Sequence, residues 1–364
     1  MNIATQYEID FLPVGEGDTS GDAIAIRYGD GKEWRVMVYD GGTKTSGEQI
    51  VEHIKKHYGT NHVDFLVNSH PDQDHASGLS VVMENLSVGE LWIHRPWLYA
   101  GEVLDNFKDE RITENSLAQR FKDKMPYAWA LEEMALQKGI KICEPYQGNK
   151  IGEFTVLSPS KDWYLHTLIP EFSKTPEPKE LVTESSFANK AVEALRSVID
   201  WIQETWDIET LRDDVETSAD NESSAVLYTN IDGRGIFLCG DAGIRGLSRA
   251  SDYADIWGQD LPNAKFYQIP HHGGRHNVST AVLDKIVGNR LPIGASLTKT
   301  AFVSAGKGSS KHPKKMVVNA FIRRGANVVQ TKGTTICSHH GTPSRQGWTK
   351  APSVPFSDEV ESWN

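Results

Sequence analysis

Cysteine is scarce in this chain: Cys143, Cys239 and Cys337 are the only three in 364 residues, they lie far apart, and their number is odd. A disulfide framework and a cysteine-type zinc site are therefore excluded as organising features, and a reducing compartment fits. Each reads as a small buried residue, Cys239 above all, because it lies inside the apolar run GIFLCGD. Positive charge is also in deficit. Lys and Arg number 38 against 49 Asp and Glu, a formal net charge of −11, so a phosphorylated partner would need a local basic patch. No run approaches the ~18 apolar residues of a membrane-spanning helix. The opening MNIATQYEIDFLPVGEGD is acidic where a secretory signal is basic and then apolar. The expectation is a cytoplasmic protein with no membrane partner.

What remains is an ordinary globular composition, 38% hydrophobic and 24% charged, with length enough for a substantial core. YEIDFL and AIAIRY alternate apolar and polar positions, and WRVMVYDGG reads as a buried strand ending in a glycine turn, so a β-meander opens the chain. GEQIVEHIKKHYG places apolar residues at helical spacing, HVDFLVNSH reads as a strand, and ASGLSVVMENL as a helix. A second mixed run holds SSAVLYTN, GIFLCGD, KFYQIPHHGG, GASLTKTAFVS, a helix through KKMVVNAFIRRG, and NVVQTKGTTI. The two halves are similar in content, without a repeat of fixed period.

Between them, residues 102–139 read as helix; 159–183, with Pro159, Pro170, Pro176 and Pro178, as a loop or lid; and 187–211 as an amphipathic helix. Residues 102–139 and 159–215 are thus expected to be helical insertions into one β-rich domain over 1–337, able to serve as a lid, an oligomer contact or a partner surface. Residues 338–364 are polar and aperiodic and are expected to form a mobile tail in which His339 and His340 are surface residues.

The densest chemistry is His70-Pro71-Asp72-Gln73-Asp74-His75, four imidazole or carboxylate groups where a strand meets a helix. These are ligands of first-row divalent metals. The competing reading is a solvated turn in which Asp72 or Asp74 caps the helix. Asp241 in FLCGDAG and His271-His272 in QIPHHGG put further ligand types at two more strand ends, which favours a metal site. SAGKGSSKHPKK groups Lys307, Ser309, Lys311, His312, Lys314 and Lys315 in a loop suited to gripping phosphate. His94 and His166 read as ordinary structural histidines.

His-X-Asp-X-Asp-His, Gly-Asp and His-His-Gly together resemble the metallo-β-lactamase superfamily, and most closely the C-terminal hydrolase domain of ComEC-type competence DNA-uptake proteins. FLPVGEGDTSGDAIAI, VYDGG, NESSAVLYTNIDGRGIFLCGDAG and KHP at 311–313 resemble further motifs of that domain, so the likeness runs intermittently from about residue 7 to 336. The resemblance implies an α+β four-layer αββα sandwich with the metal centre at one edge between the sheets. Carried over, His70 and Asp72 hold one metal, Asp74, His75 and His271 the other, Asp241 bridges them, and Asp40 supports the site from behind.

Two departures stand out. Asp72 replaces a family histidine by an oxygen donor, which moves preference from Zn²⁺ toward Mn²⁺ or Mg²⁺. The usual third histidine is absent, with Asn221 near its place, so one or two divalent ions are expected. The expected activity is phosphodiesterase or nuclease, with Asp74 orienting the nucleophile and His272 or His312 donating a proton to the leaving alkoxide. Lys307, Ser309, Lys311 and Lys314 would bind a phosphorylated substrate such as DNA, RNA or a nucleotide. Ester, lactone or lactam hydrolysis, and a non-catalytic scaffold or sensor with a degenerate site, are the alternatives.

Overall fold

The computed structural model describes residues 3–17, 21–107, 112–172 and 201–363. Two seven-stranded sheets face each other. The first runs β15-β1-β2-β3-β4-β5-β6, built from β1 (Gln6–Phe11), β2 (Ala23–Gly29), β3 (Trp34–Gly41), β4 (His62–Val67), β5 (Ser87–Trp92), β6 (Lys141–Cys143) and β15 (Ile336–His340). The second runs β14-β13-β12-β11-β10-β8-β7, from β7 (Lys150–Ile151), β8 (Phe154–Ser158), β10 (Val226–Ile231), β11 (Arg234–Leu238), β12 (Phe266–Gln268), β13 (Lys299–Val303) and β14 (Ala326–Gln330). A separate pair joins β9 (Trp201–Gln203) to β16 (Glu359–Glu361).

Each sheet begins as an antiparallel meander and continues as parallel strands, from β3 to β6 and from β11 to β14. The similar halves seen in sequence are therefore two similar sheets. Phe11, Ile26, Met37, Phe154, Leu238, Phe266 and Phe302 fill the space between them. On the outer face of the first sheet pack α1 (Lys44–His53), α2 (Gln73–Asn85) and α4 (Pro126–Lys138). The second sheet is covered by α8 (Ile244–Ile256), α9 (Thr280–Ile286) and α10 (Lys315–Arg323). This is the expected four-layer α+β sandwich. Parallel strands carry crossovers on the outer faces, so their carboxyl ends gather at one edge, where ligand sites of α/β sheets form.

The inserted helices have a core of their own. α3 (Glu114–Lys124) and α4 meet α5 (Lys161–Trp163), α6 (Ile169–Phe172) and α7 (Ala219–Glu222) around Trp97, Phe121, Trp163, Tyr164 and Phe172. Residues 161–172 were expected to be loop because of their prolines. They are helical because Ser160 caps them and Trp163, Tyr164, Leu165, Leu168, Ile169 and Phe172 bury one face. The loop expectation over 173–183, and most of the helix expected over 187–211, lie outside the described residues. Trp201–Gln203, its far end, is strand rather than helix.

The mobile tail over 338–364 is also corrected. β15 crosses the expected boundary at 337 and pairs with β1, so His339 and His340 sit on an edge strand. Arg345 reaches back to Glu8 and Asp10, and Val360 is fully buried. Anchors this sparse leave no periodic signal, which is why the segment reads as tail. All three cysteines are free. No helix among the described residues is long and apolar enough to cross a membrane.

Candidate metal centre

At the end of β3 the backbone of Asp40 turns into the left-handed region, φ 60°, a costly conformation for a non-glycine residue. The turn aims its carboxylate beneath the next strand end. It accepts from Ser69 N at 2.7 Å and Ser69 Oγ at 2.6 Å, and lies 2.9 Å from His75 Nδ1. Ser69 Oγ is also 2.9 Å from His70 Nδ1, so one buried carboxylate orients two imidazoles, one directly and one through a hydroxyl. Asp72 is the N-cap residue of α2, yet its side chain makes no capping bond. Instead Asp72 Oδ2 lies 3.5 Å from His70 Nε2, which disposes of the capping alternative. Gly78 lets α2 approach: a Cβ there would stand 1.9 Å from Gly41 O.

The other half comes from β11 and β12. Asp241 follows β11, with its N–H donating to Ser224 Oγ at 3.1 Å and its carbonyl accepting from Asn277 Nδ2 at 2.7 Å. Its Oδ2 is the hub of the site, 2.6 Å from His271 Nδ1, 3.4 Å from His75 Nε2, and 3.8 Å from both His70 Nε2 and His272 Nε2. His271, His272 and Gly273 after β12 all have positive φ, 46°, 55° and 82°. A Cβ at Gly273 would lie 2.5 Å from Pro313 Cβ, and Lys314 N donates to Gly273 O at 3.0 Å, so this loop rests on the loop of His312. The His312 ring is 6.2 Å from that of His271 and 6.4 Å from that of His272.

Among the described residues, three donor groups have ligand atoms within 4.8 Å of one another: Asp40, His70 and His75; Asp74, His75 and His272; and Asp22, His75 and Asp241. His70 Nε2, His75 Nε2 and Asp241 Oδ1 are buried with no hydrogen-bond partner among the described residues. Buried polar atoms in that condition call for an explanation, and divalent cations held among them would satisfy them. The electrostatics agree. Burial opposes charge on His75, but Asp241 and Asp40 hold its pKa well above the usual value. Burial would raise the Asp241 carboxyl, yet His75, His271 and His272 carry it well below the usual range. The surroundings stabilise positive charge where the imidazoles converge. Burial drives His272 down to about 3 and so keeps it a neutral ligand type, and burial pushes Asp22 up to about 7.

Residues 17–128 match the sequence model of the metallo-beta-lactamase superfamily. This is a metallo-β-lactamase fold. No curated protein sequence matches the chain. Similar solved structures include the metallo-β-lactamase-fold protein YhfI from Bacillus subtilis, 7% identical, covering 92% of this chain and 100% of that one at a TM-score of 0.40. A putative metallo-β-lactamase from Thermotoga maritima is 10% identical over 70% of this chain and 86% of its own, TM-score 0.32. An N-acyl homoserine lactone hydrolase is 11% identical over 71% and 90%, TM-score 0.29.

Within this metallo-β-lactamase fold the structure brings together His70, Asp72, Asp74, His75, Asp241, His271, His272, Asp40 and His312. It places two of them differently. His272 stands in the donor group with Asp74 and His75, whereas His271 Nδ1 is taken up by Asp241 and its side chain is one-third exposed. Asn221 Nδ2 lies 3.1 Å from the same His271 nitrogen.

Lys307 and Lys311 are exposed on their loop, and Lys314 precedes α10. Ser309 is buried and its Oγ accepts from His312 N at 3.1 Å, so it shapes the loop. His94 is buried and stacks on Tyr164 at 4.4 Å, and His166 contacts Glu102 and Asn106 on the insertion; neither belongs to a donor group. The sequence reading missed Asp22 and Gln268. Gln268 Nε2 donates to Asp22 Oδ2 at 2.8 Å while its Oε1 accepts from Cys239 N and Gly240 N, tying the loop before β2 to the Asp241 turn. The second Gly-Asp of GEGDTSGD was the available signal.

Proposed function

We propose that the chain is a metal-dependent phosphodiesterase related to the competence-protein hydrolases, acting on a nucleic acid or nucleotide. The observation that carries this reading is an oxygen-rich donor set, Asp72, Asp74 and Asp241 with His70, His75 and His272, lying beside His312 and its lysine-bearing loop. One or two divalent ions held there, Mn²⁺ or Zn²⁺ with Mg²⁺ as a further option, would supply a nucleophile near neutral pH and polarise the phosphoryl oxygens.

The chain's own groups do the rest. Asp40 and Ser69 fix the imidazoles of His75 and His70. Asp74 orients the attacking oxygen, His312 donates a proton to the leaving alkoxide, and Lys307, Lys311 and Lys314 draw in phosphate. The loop of Lys307 is joined to the opening glycine loop, with Gly17 N donating to Lys307 O at 2.8 Å.

The test compares bis-p-nitrophenyl phosphate, nitrocefin and aryl esters, each with Mn²⁺ and Zn²⁺, with Asp74→Ala as control. Diester turnover that depends on Asp74 supports the reading. Faster ester or lactam turnover replaces it. A protein that binds no metal and gains no thermal stability from either ion is a scaffold or sensor instead.

A further inference from the structure

The C-terminal segment touches both loops of the site. Glu361, nearly fully buried, accepts from Lys315 N through both carboxylate oxygens, at 3.1 and 3.0 Å, at the first residue of α10. A carboxylate there satisfies an N–H left open by the helix and meets the positive end of its dipole. His312, Pro313 and Lys314 lead directly into that turn. Ser362 O accepts from Arg275 Nη1, and the Arg275 guanidinium lies 4.6 Å over the Trp363 ring. Trp363 also packs against His276 at 5.5 Å, while its Nε1 donates to Thr210 O at 2.7 Å. Arg275 and His276 follow His271-His272-Gly273-Gly274 without interruption.

The strap is itself anchored elsewhere. Val360 is buried in the core beneath α10, and β16 pairs with β9. Asn319 on α10 donates to Ser357 O at 2.8 Å and accepts from Ser357 N at 3.0 Å. The His271–Gly273 loop holds three successive left-handed residues, and strained backbone persists only where its surroundings over-determine it. Pro313 supports that loop from one side and Trp363 holds its outgoing end.

We infer that Glu361 and Trp363 are positioning residues: through α10 and Arg275 they hold the His312 and His271–His272 loops in the geometry that completes the metal centre. This rests on the reading of the site as a metal centre, not on the choice of substrate. The decisive measurement is Mn²⁺ affinity by calorimetry on the full chain, with apo-protein melting alongside.

Glu361→Ala and Trp363→Ala should each weaken Mn²⁺ binding about tenfold, the usual size of losing a group that orients a ligand. Trp363→Phe, which keeps a ring beneath Arg275, should restore most of it. Ile231→Ala, at the far end of β10, serves as a destabilised control and should keep wild-type affinity. Unchanged affinity in both strap variants, or an equal loss in the Ile231 control at matched melting temperature, overturns the inference. Weakened metal binding in a protein that cleaves no diester would leave the strap in place and remove the phosphodiester reading alone.

Discussion

His75 is held at one end of its ring and open at the other: Nδ1 lies 2.9 Å from the Asp40 carboxylate, while Nε2 faces Asp241 at 3.4 Å. Asp40 therefore selects the tautomer, with the proton on Nδ1 and the lone pair of Nε2 facing the site. Replacing Asp40 by Ala should lower divalent-metal affinity by roughly 10- to 100-fold, the range for lost carboxylate support behind a ligating imidazole. Isothermal calorimetry with Mn²⁺ and Zn²⁺ measures it. Asp40→Asn, which can still accept a hydrogen bond, should lose less.

The two adjacent histidines after β12 should separate in function. His272 is buried with Asp74 and His75 in one donor group, while His271 Nδ1 is engaged by Asp241. His272→Ala should cost most of the bound metal after desalting, and its activity should return in part at high added Mn²⁺. His271→Ala should keep more metal. Metal per chain, counted by emission spectroscopy for the two variants, checks the order; a reversed order would return His271 to the role expected from the sequence.

These outcomes bear on how much was legible beforehand. The candidate ligands are readable because strand ends concentrate them: His70 lies three residues past β4 and Asp241 three past β11, each after an apolar run. The four layers were readable for the same reason, since alternation and buried runs marked the strands. The different placement of His271 and His272 is not readable, because it depends on three residues of left-handed backbone that no periodicity encodes. Gln268 and Asp22 are hidden by a separation of 246 positions, and Arg345 by a still longer reach of 337 positions to Glu8 in β1. Long-range polar contacts between single residues have no sequence period, so a strapped segment and a free tail look alike.

If the substrate carries phosphate, the lysines of the 307–315 loop should be felt through salt. Lys307 and Lys311 are both exposed on that loop. For an oligonucleotide substrate, each lysine that neutralises one phosphate adds about 0.7 to 0.9 to the slope of log affinity against log salt. The double variant Lys307→Ala/Lys311→Ala should weaken KM at low salt and flatten that slope by roughly one to two units. A slope unchanged from wild type would place the substrate elsewhere or make it neutral.

Arg345 offers a prediction about stability rather than chemistry. Its guanidinium donates to both Asp10 oxygens, at 2.7 and 2.8 Å, and to Glu8 Oε2 at 2.6 Å, and it stacks on Trp348 at 4.8 Å. Burial alone would raise the Asp10 carboxyl, but His53 and Arg345 bring it far below the usual range. Arg345→Ala should cost about 3 kcal/mol, the lower end for stranding a buried charge, because Tyr58 still donates to Asp10 Oδ2 at 2.6 Å. The pH dependence has a definite sign. A carboxyl whose folded pKa is depressed contributes stability that is complete above its unfolded value of 3.8 and is lost as pH falls toward the folded one. The difference between wild type and variant should therefore be largest at neutral pH and shrink below about pH 4. Urea unfolding across that range reads it directly, and a difference that held constant down to acid would mean that Arg345 acts through its stacking on Trp348 instead.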